Sequence, residues 1–302
     1  MPKSVFIIGW DAACASRDNG LIQLKYNLTN KSIEEFRPIL TSSKSSPGMA
    51  IRNAIQNHNS EDLPFLLAID CPLGWPVTFI DAWESPIPST AQPITCIDKK
   101  ELKDAFFKRQ CERFLIEYYR SSNPSLRIQP LEVTSNLLAR TAFDTAYELN
   151  LLLEGSHLPF MLWSKPKHES FSQGIIEVYP AATVQSWSNS PTPIGKRNGI
   201  ISNTITAAES NSRLDHSRIK QLIKLSAELS TYKLPVSRVP HFEDAIICAL
   251  TAVDFLEDKC VDPSPNNLSL GKDAFYNPSD IKKEGWIWFP KTTLDESSTL
   301  KN

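Results

Sequence analysis

The chain has 302 residues, 41% of them hydrophobic and 22% charged, with a net charge of −2. That balance excludes a strongly basic nucleic-acid coat and leaves any such contact to a local patch. Six scattered cysteines without a CxxC pair fit reduced thiols better than a disulfide framework, and they argue against a structural zinc site.

In chain order, residues 4–11 carry the run "VFIIGWD", apolar without alternation, and read as a strand buried on both faces that ends on Asp11. The run is too short for a signal peptide, and no stretch approaches the about 20 apolar residues of a membrane span, so a cytoplasmic protein is expected. After the turn signal "RDNG", the segment "LIQLKYNL" alternates with a period of two and reads as a half-exposed strand pairing antiparallel with the first. "EEFRPIL" reads as a third strand, confined to an edge by Pro38. "SPGMAIRNAIQNH" reads as a short helix, and "PFLLAID" as another apolar strand that closes on a carboxylate, Asp70.

From Cys71 to about Thr95 proline is dense and periodicity absent, which reads as a long loop over the sheet. Residues 98–120 and 133–153 show helical spacing. "GIIEVYPAA" reads as a strand holding Glu177, with Pro180 placed to open a helix. Residues 207–232 read as mostly helical. "HFEDAIICALTAVDFLED" is the strongest helix, with Glu243 and Asp244 assigned to its first turn, and "EGWIWFP" reads as a last short strand. Residues 1–290 are expected to form one domain, with a loop and helical insertion at about 75–173, and residues 291–302 to form a disordered polar tail. Antiparallel strands first, then strands separated by helices, predict an α/β fold with a mixed sheet flanked by helices.

The candidate chemistry lies in the acids. Asp11 and Asp70 close apolar strands, Glu177 lies inside a third near its end, and Asp244 opens a helix that could cross the sheet. Carboxylates gathered at one sheet edge repel one another unless a cation neutralises them, and oxygen-only ligands suit Mg²⁺ or Mn²⁺. Two such ions about 4 Å apart activate water and steady a leaving oxygen in phosphodiester hydrolysis. Each acid also has an ordinary reading: a turn after the strand for Asp11 and Asp70, a solvent-side strand position for Glu177, a helix-dipole contact for Asp244. The histidines are isolated, and no GxSxG, HExxH, P-loop or GxGxxG is present. Lys165 and Lys167 form a small basic cluster that could hold phosphate if it flanks the acids. Trp75, Trp83, Trp286 and Trp288 are available for stacking or for packing.

Five segments in order, "GWDAA", "AIDCPLGWP", "IEVYPAA", "FEDAIICALTA" and "EGWIWFP", resemble the domain of unknown function 429 family over roughly residues 4–290. "KRQCERFL" and "RTAFD" are similar to its arginine-bearing helical segments. The resemblance implies a ribonuclease H-like core, a five-stranded mixed sheet whose first three strands are antiparallel, and a predicted nuclease activity. Residue by residue it implies that Asp11, Asp70, Glu177 and Asp244 gather at one catalytic metal site for Mg²⁺ or Mn²⁺. Ile246-Ile247 stands where the family often has Leu-Asp, which leaves Asp244 as the helix acid unless Glu243 substitutes. On this reading Asp11 bridges two ions, Asp70 and Asp244 hold one each, Glu177 ligates or orients water, and Arg109, Lys165 or Lys167 neutralises phosphate of DNA or RNA. Two alternatives stay open: a non-catalytic binding or regulatory module on the same fold, and nucleotide-dependent phosphotransfer, which would need a glycine-rich loop that the chain lacks.

Overall fold

The apolar run at the start of the chain becomes the middle of a sheet. A computed structural model describes residues 3–15, 18–41, 45–58, 63–84, 104, 106–124, 126, 128–130, 132–153, 173–195, 199–213, 216–264 and 277–292. Strand β1 (Ser4–Asp11) is buried along its whole length because it is paired on both edges and covered on both faces. On one side it runs antiparallel to β2 (Gly20–Asn27), which pairs antiparallel with the edge strand β3 (Ser32–Pro38). On the other side β1 runs parallel to β4 (Phe65–Asp70), followed by β5 (Gln173–Val178) and β6 (Ile287–Trp288), all parallel. The order is β3-β2-β1-β4-β5-β6.

The sheet thus has six strands, where the resemblance implied five. The extra one is the "EGWIWFP" segment, of which only Ile287 and Trp288 join the ladder, opposite Glu177 and Val178. The mixed α/β plan, antiparallel first and parallel afterwards, is the one the segment order predicts.

Nine α-helices are described among these residues: α1 (Pro47–His58), α2 (Val77–Glu84), α3 (Gln110–Ser122), α4 (Asn136–Leu153), α5 (Pro180–Ser188), α6 (Ile200–Ser210), α7 (Ser217–Leu229), α8 (Val239–Leu256) and α9 (Pro278–Glu284). Three departures from the sequence reading have physical causes. Helix α2 forms inside the proline-rich stretch expected to be loop, because the Glu284 carboxylate, distant in sequence, accepts the Val77 N–H at 2.8 Å. The helical stretch at 207–232 is two helices, broken where Ser212 takes φ 55° and the Arg213 N–H closes back on Ala208 O at 2.7 Å. Helix α8 starts at Val239, with Pro240 in its first turn, so Glu243 and Asp244 lie beyond that turn and are not dipole partners of its N-terminus.

Strand alternation sorts the core into two layers. Val5, Ile7, Leu24, Leu66, Ala68, Ile176 and Val178 face α8. Phe6, Ile8, Trp10, Leu67, Ile69 and Ile175 face the layer of α1 and α4. Helix α8 is apolar on nearly every side and buried from Asp244 to Leu256, as a helix covered on both sides must be. Two glycines bring it close to the strands. A methyl on Gly9 would run into the Ala245 carbonyl oxygen, and one on Gly20 into that of His241. No helix among the described residues is long and apolar enough to cross a membrane. Past β6, Lys291 N–H bonds Lys259 O at 2.8 Å and Thr292 is buried with its N–H on the Tyr118 hydroxyl at 2.9 Å; residues 293–302 of the expected tail lie outside the described residues.

Candidate metal centre

Parallel pairing fixes the first two acids. Asp11 and Asp70 are register partners at the carboxyl ends of β1 and β4, so both side chains leave the same face of the sheet at the same row. Gly20 is the partner of Asp11 on the other side, and its missing side chain lets the first turn of α8 settle over that row. Asp244 follows one turn later. The result is that Asp11, Asp70 and Asp244 each offer a carboxylate oxygen within 4.8 Å of the other two. Asp11 and Asp244 are buried and Asp70 is half-buried.

The surroundings hold this arrangement. Asn19 accepts the Trp10 Nε1–H at 2.7 Å and the Ala13 N–H at 3.1 Å, and its amide nitrogen donates to Ala13 O at 2.9 Å, which closes the loop after Asp11 on itself. Arg238 donates to Asn19 O at 3.0 Å and to Thr41 Oγ1 at 2.9 Å, with its guanidinium 5.1 Å from the Phe242 ring centroid. It ties the start of α8 to that loop. His241 Nδ1 lies 2.7 Å from Asp11 Oδ2. That hydrogen bond is the main cause holding the His241 pKa above its usual value; burial opposes it, and the charges of Asp11, Asp18 and Asp244 add to it.

The fourth predicted ligand is elsewhere. Glu177 is the register partner of Ile69, one row short of Asp70, so alternation turns its side chain to the opposite face. There it is 2% exposed and takes both its oxygens to Arg109, at 2.7 Å to Nη1 and 2.5 Å to Nη2. This corrects two expectations together: Glu177 is not a ligand beside the three aspartates, and Arg109, fully buried, is occupied by carboxylates and is not presented to phosphate. Glu243 does not substitute as a helix acid at the site either: the clustered acids are Asp11, Asp70 and Asp244, and the Glu243 carboxylate lies beside Gly199, just before α6. Lys165 and Lys167, and with them His157 and His168, lie outside the described residues. Trp286 and Trp288 are buried in the α8 layer, and Trp75 stacks on Phe79 with ring centroids 5.9 Å apart.

Sequence reasoning missed His241, Arg238 and Asn19. A signal existed for the first: His241 and Asp244 stand three apart in "HFED", neighbours on one helical face. Nothing in the sequence alone marks the other two, whose roles depend on backbone carbonyls brought together by folding.

Chemically, three carboxylates this close repel one another unless a cation lies among them. An all-oxygen set of three acids, one of them half-open to solvent, fits a hard divalent ion such as Mg²⁺ or Mn²⁺ and leaves room for water or substrate oxygens. The model of a family described as "Protein of unknown function (DUF429)" matches residues 11–267. No curated protein and no solved structure matches the chain.

Proposed function

The chain belongs to the DUF429 family of proteins of unknown function, and from that premise we propose that it is a divalent-metal-dependent nuclease on a ribonuclease H-like core. The observation that carries the reading is the meeting of Asp11, Asp70 and Asp244, from β1, β4 and α8, within 4.8 Å. The strand order supports it: three antiparallel strands, then parallel ones, with acids at the ends of the first and fourth strands. Free thiols at all five described cysteines suit the reducing cytoplasm we assign to it.

In this reading Asp11, Asp70 and Asp244 hold Mg²⁺ or Mn²⁺, two ions at most. Bound there, the metal supplies Lewis acidity at a phosphoryl oxygen and water of lowered pKa. The protein's own residues do the rest. His241 fixes the Asp11 carboxylate through Oδ2. Asn19 and Arg238 hold the Asp11 loop and the start of α8 against each other. Asp70, half-buried, is the side from which solvent and a phosphodiester of DNA or RNA reach the cluster.

The experiment is cleavage of labelled single- and double-stranded DNA and RNA with Mn²⁺, beside calorimetric Mn²⁺ titration. Wild-type protein should bind and cut, and Asp11→Asn should abolish both. Clean wild-type protein that cuts none of the polymers, or an Asp11→Asn variant that still cuts, would sink the nuclease reading. One observation favours a second reading, a metal-binding module without catalysis: Arg109, one of three cations expected to hold phosphate, is buried in an ion cluster. Mn²⁺ binding without cleavage would select it.

A further inference from the structure

The buried charges behind the sheet form one connected unit with no part in the metal reading as it stands. Glu177 Oε2, besides receiving Arg109, accepts the Leu73 N–H at 2.9 Å. Arg109 also donates to Glu112 Oε1 at 2.9 Å and to the Glu284 carbonyl at 3.2 Å. The Glu284 carboxylate accepts the Val77 N–H at 2.8 Å with one oxygen and the Gln110 N–H at 2.6 Å with the other. The two amides at Leu73 and Val77 bracket the segment that follows Asp70. One guanidinium and two carboxylates, all but inaccessible to water, therefore pin both ends of that segment.

This unit is also close to Asp70. Glu177 is the register partner of Ile69, the residue before Asp70, and Leu73, whose N–H it accepts, is the third residue after Asp70. Four of the segments singled out in the sequence meet here: "AIDCPLGWP", "KRQCERFL", "IEVYPAA" and "EGWIWFP".

We infer that Glu177 is a positioning residue for the acid cluster: held by Arg109 on the far face of the sheet, it fixes through the Leu73 amide the loop that sets the Asp70 carboxylate. The inference rests on the metal-site reading for its consequence, not for its geometry. Outer partners of metal ligands typically govern affinity by about 10–100-fold, and Glu177 acts through one further link, so the low end applies. Glu112 provides the control. It binds the same guanidinium and accepts the Arg109 N–H at 3.0 Å, so both its hydrogen bonds go to Arg109 and neither to the loop after Asp70.

The test compares Glu177→Gln with Glu112→Gln in the full chain. Both should lower the thermal midpoint. Only Glu177→Gln should raise the Mn²⁺ dissociation constant, by about tenfold, and alter the Mn²⁺ electron paramagnetic resonance spectrum. In metal-free protein, only Glu177→Gln should speed Leu73 amide exchange, by about tenfold or more, and shift the Asp70 side-chain carboxyl ¹³C signal. If both variants lose stability alike while Leu73 exchange and the Asp70 signal stay as in wild type, Glu177 is structural only and the inference is overturned. Wild-type protein that binds no Mn²⁺ would overturn the metal reading instead, and the metal-free measurements would still decide the positioning role. Should Glu177→Gln not fold, Arg109→Lys, which keeps the charge and loses the two-pronged contact, takes its place with the same expected and overturning results.

Discussion

At the scale of single residues, parity decides who joins the site. Asp11 and Asp70 end their strands, in register and on one face. Glu177 lies inside its strand, next to Ile176 and Val178, which face α8. Its internal position was visible in "GIIEV", but the register that turns it away was not, because register depends on the neighbouring strand. His241 carries a pH signature. Its folded-state pKa is raised by the hydrogen bond to Asp11, so the stabilisation is complete below the ordinary histidine value of about 6.5 and is lost as pH rises through the higher folded value. In metal-free protein, His241→Gln should therefore be less stable than wild type at pH 5.5, by up to about 1 kcal/mol given its partial exposure. The gap should close towards pH 9. Urea unfolding at four pH values measures it, and a gap that widens with pH would contradict the assignment.

At the scale of elements, α8 is the piece that turns two strand ends into a site. Its apolar stripe was legible, as were the unalternating β1 and β4, the alternating β2 and the Pro38 edge strand. Helix α8 starts at Val239, two residues ahead of the segment "HFEDAIICALTAVDFLED" read as helical, because proline is at home in a helix's first turn. Helix α2 was illegible for a different reason: its first amide is satisfied by Glu284, supplied from the far end of the described chain. The contact of α8 with the sheet depends on Gly9 and Gly20. Gly9→Ala sets a methyl against the Ala245 carbonyl and the Ala249 side chain, deep in the packed layer. It should cost about 3 kcal/mol or more, seen as a lowered denaturation midpoint. Gly20→Ala should lift the start of α8 and weaken Mn²⁺ binding beyond its effect on stability. A Gly20→Ala protein with wild-type metal affinity would show that the close approach at His241 is not what seats Asp244.

At the scale of the whole molecule, the two ends of the sheet have different tasks. Tyr26 pairs with Val5, at the end of β1 remote from Asp11. There Arg218 is buried against Asp254 at 2.7 Å and Glu257 at 2.8 Å, and Asp254 also accepts the Trp187 indole N–H at 2.7 Å. This cluster joins α5, α7 and the last turn of α8. Arg218→Met leaves the Asp254 charge buried without its cation, which should cost about 3–5 kcal/mol. Urea unfolding should register that loss while Mn²⁺ affinity stays within twofold of wild type, since no residue of the acid cluster touches the junction. An equally stable variant would mean that Arg218 is dispensable.

The covering of β1 and β2 by a helix from much later in the chain has a consequence for synthesis. Asp11 meets His241 across 230 residues. At about 5–20 residues per second on the ribosome, the opening hairpin waits roughly 10–50 s with Val5, Ile7, Ile22 and Leu24 uncovered. Over that interval the nascent chain offers an apolar ribbon to chaperones or to its neighbours on the same message. Messages that slow translation ahead of codon 239 should lengthen the exposure and lower the soluble yield.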